Sequence, residues 1–205
     1  SKTQKNNNFD NNLKKIFKTK KIWCAASTHD TEEKTCALTH KKLKKKYSNL
    51  LTIIIPRHIQ RTNDIINEIK NLDLKVQTHS NNAKINKNTE IYLVDTYGET
   101  QSFFKICKTV FLGGSLINHG GQNPLEPARF GCKILHGPYI QNFTEIYKLL
   151  NQNNLSSKFN NVNQLVKLID QSFKQNQNYN NKAIKLKKIG SNILDHTLTN
   201  INYYL

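Results

Sequence analysis

The apolar positions of this chain fall into short runs separated by polar stretches with helical spacing. Ile22-Trp23-Cys24-Ala25-Ala26 is such a run. It ends in Ser27-Thr28, a zone suited to starting a helix, and Glu32 and Glu33 follow where a helix dipole favours carboxylates. The pattern predicts a helix over about 31–46. Positions 50–55 are continuously apolar and are stopped by Pro56, as in a parallel strand covered on both faces. Ile59, Ile65, Ile66 and Ile69 repeat at helical spacing. Segments 74–78, 90–94, 109–112 and 133–136 read as further strands, with a polar loop at 81–89. Phe103, Phe104 and Ile106 mark a short helix. Asn123-Pro124 reads as a helix start, with asparagine at the cap and proline at the first position. Asn142 caps a helix to Leu150, and 162–173 and 183–194 are predicted helices. The asparagine-rich stretches 151–154 and 176–181 read as linkers.

Alternating strands and helices argue for an α/β fold, a Rossmann-like parallel sheet with helices on both faces. Residues 1–20, polar and lysine-rich, read as a flexible lead-in with a weak helical pattern at Leu13, Ile16 and Phe17. Residues 21–182 form the expected domain, and 183–205 an additional C-terminal helical segment. In open sheets of this kind ligands sit outside the carboxyl ends of the strands. Three unusual segments follow strands here: Pro56-Arg57-His58, Asp95 to Glu99, and Gly113 to Glu126. Their convergence on one edge predicts a site for a small anionic ligand.

A length of 205 residues suits one domain and can bury a full core. No window is apolar enough for a membrane-spanning helix, and the first twelve residues have no apolar core of a signal peptide. The net charge of +17 changes the picture less than it promises. Nearly all of it is lysine; the arginines are Arg57, Arg61 and Arg129. With asparagine and isoleucine also in excess, this looks like an A/T-rich coding bias. A nucleic-acid binder would lean on arginine, so no nucleic-acid partner is expected. Cys24, Cys36, Cys107 and Cys132 lie far apart, without a CxxC pair, and are expected as free thiols.

The candidate residues each carry two readings. Gly113-Gly114-Ser115 and Gly120-Gly121 either let backbone approach a ligand or simply make tight turns. The helix from about 124 would then aim its N-terminus at a phosphate. Glu126 either accepts ribose hydroxyls or complements the helix dipole. Arg57 either binds phosphate or makes a surface ion pair. Asp95 and Glu99 are either an acid–base pair or a helix cap with its neighbour. His29, His58 and His119 lack metal-ligand spacing, so no metal is expected. Ser115 lacks the context of a hydrolase nucleophile. Neither a dinucleotide fingerprint nor a P-loop occurs. Trp23 reads as core.

Taken in order, the segments are Ala26-Ser27-Thr28-His29-Asp30-Thr31-Glu32-Glu33, Ile55-Pro56-Arg57-His58 with Arg61, Asp95-Thr96-Tyr97-Gly98-Glu99, Gly113-Gly114-Ser115, Gly120-Gly121-Gln122-Asn123-Pro124-Leu125-Glu126-Pro127, and Gly137-Pro138 with Asn142-Phe143. This set resembles the C-terminal half of the 3-deoxy-D-manno-octulosonic acid (Kdo) transferases over roughly residues 20–150. The resemblance implies the C-terminal half of a GT-B glycosyltransferase. It implies transfer of Kdo from CMP-Kdo to a lipid A precursor in lipopolysaccharide synthesis of Gram-negative bacteria, with inversion at the anomeric carbon. It implies a CMP site made by Pro56, Arg57, Tyr97, Gly98, Glu99, Asn123, Pro124, Leu125 and Glu126. Ser27, Thr28, His29, Glu32, His58, Gly114, Ser115 and Gly121 are expected to face the cleft. The family pattern has Gly at Thr31, often His at Gln122, and Leu or Met at Tyr97.

Family members are about twice this length. Their N-terminal domain carries the membrane anchor, the acceptor site and the glutamate general base, none of which stands in this sequence. The resemblance therefore implies a donor-binding half that is inactive alone, as a split or truncated gene product or an excised piece. The 183–205 segment would pack on that absent domain. The donor is the only small molecule implied, with no separate cofactor. The whole enzyme would sit on the cytoplasmic face of the inner membrane, and lysine faces would allow peripheral contact with anionic lipid. Two alternatives are half of another GT-B or UDP-sugar enzyme, and a basic anion-binding module without catalysis.

Overall fold

In the computed structural model, which describes residues 11–81 and 85–175, the apolar runs form one seven-stranded sheet. The strands are β1 (Lys21–Thr28), β2 (Leu50–Pro56), β3 (Val76–Thr78), β4 (Ile91–Leu93), β5 (Thr109–Leu112), β6 (Lys133–His136) and β7 (Ser156–Lys158). Their order is β3-β4-β2-β1-β5-β6-β7, and every pairing is parallel. The chain goes from β1 outward through β2 to the edge strand β3, returns inward to β4, then crosses to β5 on the other side of β1. The topological switch point therefore lies between β1 and β5, and a crevice opens there at the strands' carboxyl ends.

Alternation along β1 separates two cores. Cys24 and Ala26 face a layer with Ile53, Ile55, Val110 and Leu112. Against it pack α1 (Asn11–Thr19), α4 (Thr100–Phe104), α5 (Leu125–Arg129) and α6 (Thr144–Gln152). Trp23 and Ala25 face the other layer, with Ile54, Leu93, Phe111 and Leu135. That face is covered by α2 (Glu32–Leu43), α3 (Thr62–Lys70) and α7 (Val162–Lys174). Every residue of β2 is buried, as its unbroken apolar run requires. Trp23 is core. The four cysteines are free and buried, and burial pushes the Cys36 and Cys107 thiols up.

Four expectations change. Residues 11–19 are not a flexible lead-in: α1 inserts Phe17 beside Tyr92 and Phe103. The 59–69 helix splits into a 3-10 turn, Ile59–Arg61, and α3. The linker at 151–154 instead closes α6 and turns at Asn154 into β7, an edge strand of polar Ser-Ser-Lys. Helix α5 has five residues, too short to carry much of a dipole. The helix expected over 183–194 lies outside the described residues. No helix among the described residues is long and apolar enough to cross a membrane.

Candidate functional site

The loops after β1, β2, β4, β5 and β6 meet around the switch point. The loop after β1 is unusual in its backbone. Ser27 (φ 56°) and Thr31 (φ 70°) both take the left-handed conformation without being glycine, and the β1–β2 register slips between Ala26 and Thr28. Such residues are strained by about 1 kcal/mol each and persist where surrounding structure over-determines them. The Thr31 angle is the physical reason a glycine suits that position.

What over-determines this loop is Glu32. Its side chain is fully buried. Oε2 accepts from His29 N at 2.9 Å and Gly114 N at 2.7 Å. Oε1 accepts from Ser115 N at 3.1 Å and Leu116 N at 2.9 Å. Successive backbone amides after a strand make an anion-binding nest, and here the anion is the protein's own. Glu32 therefore does not face the cleft, a correction to the expectation above. The glycine turn is likewise not free to cradle a phosphate with these amides. Gly113 is obligatory, because a Cβ there would lie 2.3 Å from Ser27 O and 2.7 Å from Glu32 Oε2.

Thr28 and Ser115 also turn inward. Both are buried. Thr28 Oγ1 donates to Glu33 at 2.9 Å. Ser115 Oγ donates to Leu112 O at 2.6 Å and accepts from Gly137 N at 2.9 Å. Burial pushes the Glu33 carboxyl up, against the opposing pull of Arg61 and Thr28. Arg61 bridges Glu33 (3.1 Å) and Asp30 (2.7 Å). These bonds join the β1 and β2 loops into one piece. Ser27 is half-buried, and Gly121 is buried with its N–H on Gly114 O at 2.8 Å.

Facing outward are Arg57, His58, Tyr97, Gly98, Asn123 and His119, all exposed, with Glu126 half-buried. The Arg57 backbone N–H donates to Thr28 O at 2.9 Å. Tyr97 is 63% exposed beside Gly98, whose φ of 85° turns the loop. Glu126 accepts from Gln101 Nε2 at 3.0 Å. Asn123 Oδ1 accepts from Leu125 N at 3.0 Å, but the helix starts one residue later than expected, with the buried Pro124 at its N-cap. Leu125 is half-buried. Glu99 is held by Thr96 Oγ1 and by His79 Nε2 at 2.8 Å. Asp95 accepts from Ser80 N at 2.8 Å and so ties down the β3–β4 connection, neither capping a helix nor pairing with Glu99.

His29 stands between the outward and inward sets. It is buried, with its ring 4.4 Å from that of His119 and 5.7 Å from that of His58. Burial first, then the charges of His119, His58, Arg57 and Arg61, lower its pKa to about 4. No group of three metal-ligating side chains is set to hold a metal among the described residues. Tyr139, 40% exposed after β6, joins Tyr97 at this edge. A lone tyrosine after Gly-Pro gave no signal in the sequence; His119 and Gln122 lie in the 113–126 segment expected at the site, with no binding role assigned to either side chain.

The fold is that of the C-terminal half of a GT-B protein: a Rossmann-like parallel sheet whose strand-end loops meet at the switch point. No family model matches the chain. The chain is 40% identical over 129 residues to the 3-deoxy-D-manno-octulosonic acid transferase of Haemophilus influenzae, covering 63% of this chain and 30% of that protein. To the transferase of the same description from Rickettsia conorii it is 31% identical over 191 residues, covering 91% of this chain and 41% of that protein. It shares its fold with the C-terminal CMP-Kdo binding domain of WaaA from Acinetobacter baumannii, at TM-score 0.79 and 24% identity, covering 86% of this chain and 92% of that one. The chain belongs with the Kdo transferases, as the counterpart of their C-terminal domain, and spans less than half the length of the curated relatives it matches.

Proposed function

We propose that this domain binds CMP-Kdo, and that in the whole enzyme it presents the sugar for transfer to a lipid A precursor. One observation carries the reading. In a chain similar to the Kdo transferases, the outward-facing residues of three strand-end segments, Arg57, Tyr97, and Asn123 with Glu126, gather at the switch point. Arg57 offers a guanidinium to the donor phosphate, which becomes the leaving group as the anomeric C–O bond breaks. The half-buried Glu126 offers a carboxylate to ribose hydroxyls, and exposed Tyr97 a face on which a base can stack. The donor is the only small molecule the reading requires. The acceptor hydroxyl is deprotonated by a glutamate outside this chain, so the domain alone binds but does not transfer.

Calorimetric titration tests this. CMP is expected to bind saturably, UMP more weakly, and Glu126→Ala to weaken CMP at least tenfold, about 1.4 kcal/mol. Equal affinity for CMP and UMP would point to a UDP-sugar enzyme. Loss of all preference together with a steep salt dependence would point to a basic anion-binding module.

A further inference from the structure

One buried nitrogen at this site has no partner. His29 is 7% exposed, and its Nε2 makes no hydrogen bond, whereas buried polar atoms are paired as a rule. Trp23 Nε1 shares this condition, but it lies inside the core and faces no crevice. The Cδ2 side of His29 packs at Gly114, together with His119 and Gln122. A Cβ there would lie 3.4 Å from His29 Cδ2, 3.4 Å from His119 Nδ1 and 3.3 Å from Gln122 Nε2. Even a Cβ would be tight there, so three nitrogen-bearing side chains converge closely on this one glycine. Arg57 and Arg61 add positive charge on the same side. The nearby carboxylates are engaged elsewhere: Glu32 by four backbone amides, Asp30 and Glu33 by Arg61. With the backbone nest filled by Glu32, side chains are what remain to receive a ligand's anion.

We propose that His29, with Gln122 and His119, seats an oxyanion of the donor and that His29 Nε2–H donates the hydrogen bond to it. This rests on the reading of the ligand as a CMP-linked sugar acid. Such a donor carries two oxyanions, the phosphodiester and the sugar carboxylate, with the same hydrogen-bonding chemistry. Burial, then the neighbouring histidines and arginines, disfavour protonated His29. A seated anion opposes that field and raises the His29 titration midpoint.

The test follows the imidazole nitrogens of the 15N-labelled domain by NMR, with CMP, CMP-Kdo and the methyl ester of CMP-Kdo added separately. His29 Nε2 is expected to shift and its midpoint to rise by about one pH unit. A shift with all three ligands assigns the seat to the phosphate. A shift with CMP-Kdo alone assigns it to the carboxylate, because the ester keeps the shape and loses the charge. If the ligands bind and His29 does not move, the seat is refuted while the nucleotide site stands; if none binds, both fall. His29→Leu, which removes the N–H donor, should cost at least fivefold in affinity for whichever ligand moved His29. Unchanged affinity in that folded variant overturns the seat.

Discussion

The two ends of the sheet each bury a histidine, and they differ in how it is satisfied. At the amino end His40 is 1% exposed, with Nδ1 2.9 Å from Thr52 Oγ1 and Nε2 3.9 Å from Glu90 Oε1. Around it a cavity of about 450 Å³ is lined by Lys20, Lys44, Lys75, Lys87 and Glu90. Its charges are cross-linked: Lys44 pairs with Glu90 at 2.8 Å, and Lys20 reaches Lys87 O at 2.7 Å. At the carboxyl end His29 has an open nitrogen, and its loop is bent into left-handed backbone. Burial lowers both pKa values to about 4. Equal titration therefore does not separate a structural histidine from a binding one; the partner of the second nitrogen does.

The largest effect that would break this comparison is expected at Glu32. Glu32→Ala strands four buried donors and should cost about 4 kcal/mol in chemical denaturation. A loss under 1 kcal/mol would show that the two loops do not need the clamp. Next comes acid. A histidine held below its ordinary 6.5 stabilises the fold fully above that value and loses this as pH falls toward 4. His40→Gln should remove on the order of 3 kcal/mol from the acid-dependent loss of stability, at a cost of about 1 kcal/mol at neutral pH for the Thr52 bond. An unchanged acid limb would mean other groups govern it. Smaller still, Tyr97→Ala should leave stability within about 0.5 kcal/mol and weaken CMP several-fold; unaltered CMP affinity would remove Tyr97 from the site. The smallest effect is a gain: Thr31→Gly relieves the left-handed angle and should raise stability by up to about 1 kcal/mol, read as a higher melting temperature.

The strands that were legible in the sequence are those with apolar character. Runs 22–26 and 50–55 became β1 and β2 within a residue or two. The edge strand β7 was not legible, because Ser156-Ser157-Lys158 buries one residue and so carries no apolar pattern. The crevice was legible in outline, from odd residues following strands. The direction of each side chain was not. A glutamate in a first helical turn reads the same whether it meets solvent, a ligand or backbone, and only the crossing from β4 to β5, which lays β5 beside β1, brought the amides of 114–116 to Glu32. The left-handed angle of Thr31 was hidden similarly, since nothing in threonine signals it.

The bonds of Glu32 to Gly114, Ser115 and Leu116 span 82 to 84 positions of chain. Contacts that distant form only after a large loop has closed, which slows them. Until β5 docks beside β1, the β1 loop lacks what holds its strained angles, and His29 lacks the Gly114 it packs against. The crevice is therefore a late product of folding, and an intermediate that has paired β1 with β2, β2 with β4 and β4 with β3 would already hold four of the seven strands and still lack it.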